Sequence, residues 1–125
     1  MVRRFDKFTD FAEIKEWYAK RGDQTKVTRF PNVGWIRPGV CACFLYHDQT
    51  TSVGFIHGLI SNPDAGGREV YETIVEIFNE GEKYCRENQI DSVLFTSKMP
   101  VLQKMAENFG FKKFDTVTEL VKEVR

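Results

Sequence analysis

The sequence contains no run of about 18 apolar residues, which excludes a helix that crosses a bilayer. Its opening residues, MVRRFDKF, lack the apolar stretch of a secretory leader, so a cytoplasmic location is expected. Cysteine is scarce: there are three, and they are scattered. Cys41 and Cys43 stand two apart in a predicted strand, where both point to one face and are poorly placed to bridge each other, and Cys85 is distant. No C-x-x-C pair and no His/Cys cluster occurs, so a metal site is not expected. Scattered thiols of this kind read as small buried hydrophobes. Net charge is also lacking, because 18 basic and 18 acidic residues cancel. That removes the field on which most nucleic-acid-binding proteins rely. Arg3-Arg4 and Lys112-Lys113 are too short to form a basic patch and read as solvated surface. No repeat, low-complexity tract or linker interrupts the 125 residues, so one domain over 1–125 is expected.

What is present suits a packed core. The chain is 42% hydrophobic with eleven Phe, against 29% charged residues, as in a globular domain long enough to bury a core without disulfides or metals. Residues 2–5 can form a short strand. Thr9 and Asp10 offer caps for a helix, with Glu13 three after Asp10 as in a capping box, and Phe11, Ile14, Trp17 and Tyr18 share one face of it up to Gly22. Residues 23–32 are polar and irregular. Three apolar runs follow, Val33 to Ile36, Val40 to His47 and Ser52 to Ile60, separated by Pro38-Gly39 and by residues 48–51. They read as antiparallel strands. A loop, SNPDAGG, precedes a long amphipathic helix with Val70, Tyr71, Ile74, Ile77, Phe78, Gly81 and Cys85 on one side and Asn88 as its stop. Ser92 to Ser97 reads as a central strand. Pro100 suits the first turn of a last helix that buries Val101, Leu102, Met105, Ala106 and Phe109, with Gly110 closing it and Phe111 packing back. The alternation from Lys112 to Val124 predicts one or two final strands. The unit from Ser52 to Ser97 should be a right-handed parallel crossover.

On this order of elements, and on the segments VRRFDKFTDFAEI, VCACFLYHDQTTSVGFIHGLISNP and SVLFTSKMPVLQKMAENFGFKKFD, the sequence resembles the GNAT-type N-acetyltransferase superfamily over nearly its whole length. It is similar in flavour to the small acyltransferase-like proteins of bacteriophages. The resemblance implies an α/β (α+β) fold: a mixed, mostly antiparallel sheet with helices on both faces and a central β-α-β unit that binds acyl-CoA. It implies an acetyl-CoA cofactor whose pantetheine lies where the fourth and fifth strands splay apart and whose pyrophosphate sits on the amides that open the following helix. That last placement also has a physical basis, since a helix N-terminus presents unpaired N–H groups and the positive end of its dipole.

Carried onto this chain, the cofactor-binding residues are Leu59, Ile60, Ser61 and Asn62, whose amides would polarise the thioester carbonyl, and Ala65, Gly66, Gly67 and Arg68, which would hold the pyrophosphate. The loop departs from the family pattern. Gly66 and Gly67 are adjacent, no Arg or Gln precedes them at the family's spacing, and Asp64 has the wrong sign for a phosphate neighbour. Asp64 as a helix cap with the glycines as a simple turn stands beside the anion-binding reading. His57 falls where many members carry a Glu base, and an imidazole can take a proton from an ammonium nucleophile near neutral pH. Simple alternation puts it with Val53, Phe55 and Leu59, opposite Ile56 and Ile60, and a lone His in an apolar strand also has a plain packing role. The family's Tyr acid is absent, with Ala106 in its place, and Met99 stands near where an Asn often begins that helix. Tyr46, Tyr71 and Tyr84 are substitutes among which the sequence does not choose. Cys41 and Cys43 read as core, and Trp35 as core or as the rim of an acceptor pocket.

The function implied is acetyl transfer to the amine of a small-molecule or protein acceptor by direct attack, with no membrane or nucleic-acid partner. The alternative is a catalytically degenerate module of the same fold that binds a protein, in a host or a virion. Open strand edges leave room for a homodimer.

Overall fold

The computed structural model describes residues 1–124. The elements are β1 (Arg3–Arg4), α1 (Lys7–Lys20), β2 (Gly34–Arg37), β3 (Cys41–His47), β4 (Val53–Ser61), α2 (Gly67–Glu87), β5 (Ser92–Phe95) and α3 (Pro100–Asn108). The five strands lie in sequence order. Each neighbouring pair from β1 to β4 is antiparallel, and β5 returns across α2 to pair parallel with β4, as expected of the crossover.

β3 explains why the sheet carries helices on both sides. Its residues Cys41 to Leu45 are all buried, so it reads as a continuous apolar run rather than an alternating one. Cys41, Cys43 and Leu45 pack with Ile74, Ile77 and Phe78 of α2 and with Met105 of α3. Ala42 and Phe44 point the other way, against Ile14 and Trp17 of α1 and the rings of Phe5 and Phe30. Phe44 is fully buried, with Phe5 edge-on at 4.8 Å and Phe30 at 4.9 Å between centroids. Truncating such a ring costs about 3–5 kcal/mol. Burial pushes the Cys41 thiol up to about 12 and the Cys43 thiol higher still, so both stay protonated and act as core, as their spacing suggested. Trp35 lies in the core on the α2 side with its ring against Tyr84, not on an acceptor rim.

α1 starts earlier than its capping signals predict. Asp6 is the N-cap and accepts from Phe8 N at 2.9 Å. Asp10 is instead buried one turn in, where it accepts from Asp6 N at 2.8 Å and from both guanidinium nitrogens of Arg3, at 2.8 and 2.7 Å. The fork-to-fork pair ties β1 to the first turn of α1. Glu13 is turned to Gly39 N at 3.0 Å rather than to the cap. α2 buries Thr73, Ile74, Ile77, Phe78 and Cys85, while Tyr71 is half exposed. α3 ends as its sequence predicts. Gly110 takes φ +91°, Phe111 N bonds Ala106 O at 3.1 Å, and the Phe111 ring packs on Phe78 and Phe95. Val101, expected in the buried face of α3, is exposed.

Two expectations for the end of the chain are not met. Among the described residues no strand forms after α3, and residues 112–124 are exposed. β5 is therefore an edge strand rather than a central one. Its outer side lacks the neighbour that the alternation from Lys112 had suggested, because the apolar side chains Phe114, Val117, Leu120 and Val121 lie in solvent instead of on the sheet.

The Arg3 guanidinium, with help from the Asp6 amide and against the cost of burial, holds the Asp10 carboxyl below the usual carboxylate range. A group whose folded value is lowered contributes stability that is complete above its unfolded value and is lost as the pH falls through the folded one. Asp10→Asn is expected to lower stability by about 1–2 kcal/mol at pH 7, a figure discounted because Arg3 is half exposed. The gap from wild type should hold from pH 7 to about 5 and shrink below about 4. Urea denaturation across that range checks it, and a gap that widens in acid would refute the assignment.

Candidate active site and cofactor cleft

β4 carries one residue more than β3 requires. Ala42 pairs with Ile60, but Phe44 pairs with His57, so Gly58 and Leu59 together face Cys43. This is a β-bulge, and Gly58 holds it at φ +81°, a conformation that side-chain-bearing residues avoid. The extra residue reverses the pleat. Ile56 and Leu59 both pack toward α2, whereas Ile60 packs toward α1. The simple alternation that placed Leu59 with His57 and Ile60 with Ile56 is thereby corrected. His57 points to the α1 side, where its ring meets Tyr46 edge-on at 6.0 Å.

Beyond the bulge the sheet opens. β5 pairs with β4 only from Val53 to Ile56 and ends at Phe95, so residues 57–61 have no strand on their far side. Asn62 N donates to Val40 O at 2.8 Å, which makes that a hydrogen-bonded pair of the ladder. Alternation along an antiparallel ladder then turns the groups of Ile60 toward β3 and those of Ser61 away from it, into the opening. Ser61 O bears this out by accepting from Arg21 Nη2 at 2.7 Å. Of the four β4 amides named from sequence, those of Ile60 and Asn62 are thus committed to β3 and its turn, and that of Ser61 faces the cleft. Leu59 lies within the bulge.

The loop that follows leaves the start of α2 bare. Asp64 N is taken by Asn62 Oδ1 at 3.0 Å and Ala65 N by Asn62 O at 3.1 Å. Gly66 is the N-cap and supplies no side-chain cap. Among the described residues no acceptor meets the amides of Gly66, Gly67, Arg68 or Glu69. A side chain built at Gly66 or Gly67 would meet nothing within 4 Å. Asp64 does not cap the helix; its carboxylate pairs with Lys20 Nζ at 2.7 Å. Arg68 is exposed and pairs along the helix with Glu72 at 3.1 Å. Positive charge reaches the loop from elsewhere instead: Lys20 and Arg21 from the end of α1, and Arg37 from β2, which lies 3.4 Å from Glu69. No local pattern marks these three residues, because they stand 44, 40 and 32 positions from their partners.

On the α1 side, the candidate base His57 is exposed, and no hydrogen bond holds its imidazole among the described residues. Tyr46 Oη donates to Arg29 O at 2.7 Å. Burial, then the nearby Tyr18, raises the Tyr46 phenol above its usual value, so it keeps its proton. Of the three tyrosines the sequence left open, Tyr46 adjoins His57. Tyr84 meets Trp35 edge-on under the guanidinium of Arg4, and Tyr71 lies on an exposed part of α2. A cavity of about 840 Å³ lies elsewhere, along the open edge of β5 beneath the C-terminal half of α2, with Val53, Phe78, Cys85 and Leu94 in its walls. It shares no residue with the loop before α2. Among the described residues no cluster of metal-ligating side chains occurs.

This topology, four antiparallel strands with a parallel fifth returning across α2, recurs among solved structures. This is the fold of the GNAT-type N-acetyltransferases. A GNAT-family acetyltransferase from Streptococcus pneumoniae superposes with a TM-score of 0.65 at 13% identity, over 98% of this chain and 100% of that one. A Mycobacterium tuberculosis protein solved in complex with CoA gives 0.70 at 16% identity, over 96% and 76% of the two chains. An aminoglycoside N-acetyltransferase, also solved with CoA, gives 0.64 at 14% identity over 99% and 100%. At these identities the likeness is one of GNAT fold. No protein-family model matches the sequence, and no curated protein matches it.

A Cβ at position 58 would meet only the Phe44 ring, at 3.4 Å, so the cost of substitution is mainly in the backbone. Gly58→Ala is expected to lose about 1–2 kcal/mol and Gly58→Val more. Urea denaturation measures this. An alanine variant as stable as wild type would mean that residue 58 is not held in the left-handed region.

Proposed function

We propose that the chain is an acyl-CoA-dependent N-acetyltransferase. The observation that carries this reading is the bare N-terminus of α2 beside the opened edge of β4, within a fold that two CoA-bound structures share. The residues present fit the cofactor. The amides of Gly66 to Glu69 lack acceptors, the two glycines let an anion approach the backbone, and the helix dipole adds to the attraction. Ser61 offers an amide on the open edge of β4, and the bulge brings Leu59 beside it. Bound acyl-CoA supplies a thioester whose acyl group passes to the acceptor amine.

The chain's own part is to bind, orient and move protons. The amides at the start of α2 hold the pyrophosphate, and the Ser61 amide orients the carbonyl oxygen and takes up charge that develops on it. His57 takes the proton of the acceptor ammonium, directly or through a water, from the α1 side of the sheet. Tyr46, still protonated and next to His57, orients the imidazole and the acceptor. A thiol near pKa 8.5 is a fair leaving group, so the absence of the family's tyrosine on the last helix does not stop the reaction. The acceptor is an amine, and the location is cytoplasmic.

Acetyl-CoA is expected to bind with micromolar affinity by calorimetry and to raise the melting temperature. No heat at millimolar acetyl-CoA would remove the cofactor reading and favour a module that binds a protein. Once an acceptor is found, His57→Gln should lower kcat/KM by about a hundredfold or more and abolish the acid limb that an imidazole base gives the pH–rate profile. An unchanged profile would mean that His57 is not the base.

A further inference from the structure

The loop before α2 carries an anion of its own. Asp64 lies two residues before the N-cap Gly66, close to amides that a phosphate would occupy, and it spoils the electrostatics of an anion site. Yet its carboxylate does not bond any of those amides. Lys20 Nζ holds it at 2.7 Å, reaching across from the end of α1, with Glu16 more loosely engaged at 3.6 Å. The neighbouring Arg21 is already spent on Ser61 O and Oγ, at 2.7 and 2.9 Å. Arg68, the cation nearest in sequence to the bare amides, is spent on Glu72. Lys20 is the cation whose carboxylate partner lies in the loop itself, and that pair is solvated on both sides, where such pairs contribute little. Its ammonium rides on a flexible four-carbon stem with three donors.

We propose that Lys20 is a cofactor-binding residue held in reserve by Asp64, and that an anion arriving at the amides of Gly66 to Glu69 takes Lys20 from the Asp64 carboxylate. This rests on the acyl-CoA reading. A pyrophosphate competes well for the ammonium because it carries more charge than one carboxylate and is also held by the helix amides, which Asp64 does not use. The exchange leaves Asp64 in water, where a lone carboxylate is at ease.

The two partners can be told apart because either substitution breaks the same ion pair. If the pair only fastened α1 to the loop, Lys20→Met and Asp64→Asn would act in the same direction. Under the exchange they act in opposite directions. Lys20→Met weakens CoA binding about five- to tenfold, while Asp64→Asn frees Lys20 and strengthens binding about threefold, both effects fading at high salt. The experiment is calorimetric titration of wild type, the two variants and the double variant with CoA and, separately, with inorganic pyrophosphate; folding is verified by thermal melts. Opposite shifts for CoA, with the gain from Asp64→Asn reduced when Lys20→Met is also present, support the exchange; a gain undiminished in that double variant is the mere removal of a negative charge and overturns it. Shifts of one sign, or none, with CoA still bound overturn it and leave the cofactor reading standing. Opposite shifts for pyrophosphate when CoA does not bind keep Lys20 as an anion ligand and remove CoA as its occupant. If neither ligand binds the wild-type chain, both readings fall.

Discussion

Between His57 and Ile60 the fourth strand holds one residue more than its partner, and the rest of the site follows from that mismatch. A strand of period two must present alternate residues to opposite faces. With one extra residue it presents Ile56 and Leu59 to the α2 side and His57 and Ile60 to the α1 side. The bulged strand also bends, and β5 pairs with it only as far as Ile56. The same insertion thus aims the candidate base toward α1 and coincides with the loss of the neighbour that would have covered the Ser61 amide.

Around this opening the charges are arranged by elements that are distant in sequence. The buried Asp10, gripped by Arg3, fixes the start of α1. The end of the same helix then delivers Lys20 and Arg21 to the loop before α2. One helix therefore connects the first strand to the loop before α2, and its two ends are anchored differently: a bidentate pair on the buried Asp10 at the start and exposed contacts at the finish. Exposed pairs contribute little to stability, so the finish of α1 is held less firmly than its start.

Much of the fold could be read from the sequence because its strongest patterns are local. The helical spacing of Ile74, Ile77, Phe78 and Cys85, the turn at Pro38-Gly39, and the Gly110-Phe111 ending all act within a few residues of where they are seen. The apolar run from Val40 to His47 was already legible as a strand. What escaped was non-local. Gly58 in a strand hinted at a bulge, but its register depends on β3, and without the register the faces of Leu59 and Ile60 came out reversed. Asp64 resembled a helix cap by position, yet Lys20, 44 residues away, had the better claim on it. The choice of Tyr46 over Tyr71 and Tyr84 required the pairing of β3 with β4. The final segment failed for another reason: its alternation is a necessary mark of a strand, but pairing needs contacts that residues 112–124 do not make.

The bulge has a consequence for the order in which the chain closes. β3 and β4 meet across the short turn of residues 48–52, so the loop entropy lost in bringing Gly58 opposite Cys43 is small. β5 reaches β4 only after the 21 residues of α2 have been laid across the sheet, a contact of much longer range and slower formation. The bulge thus belongs to a hairpin, a pairing of short range in sequence. The two walls of the opening therefore draw on contacts of different sequence range: a hairpin on one side and, on the other, a crossover that spans the whole of α2.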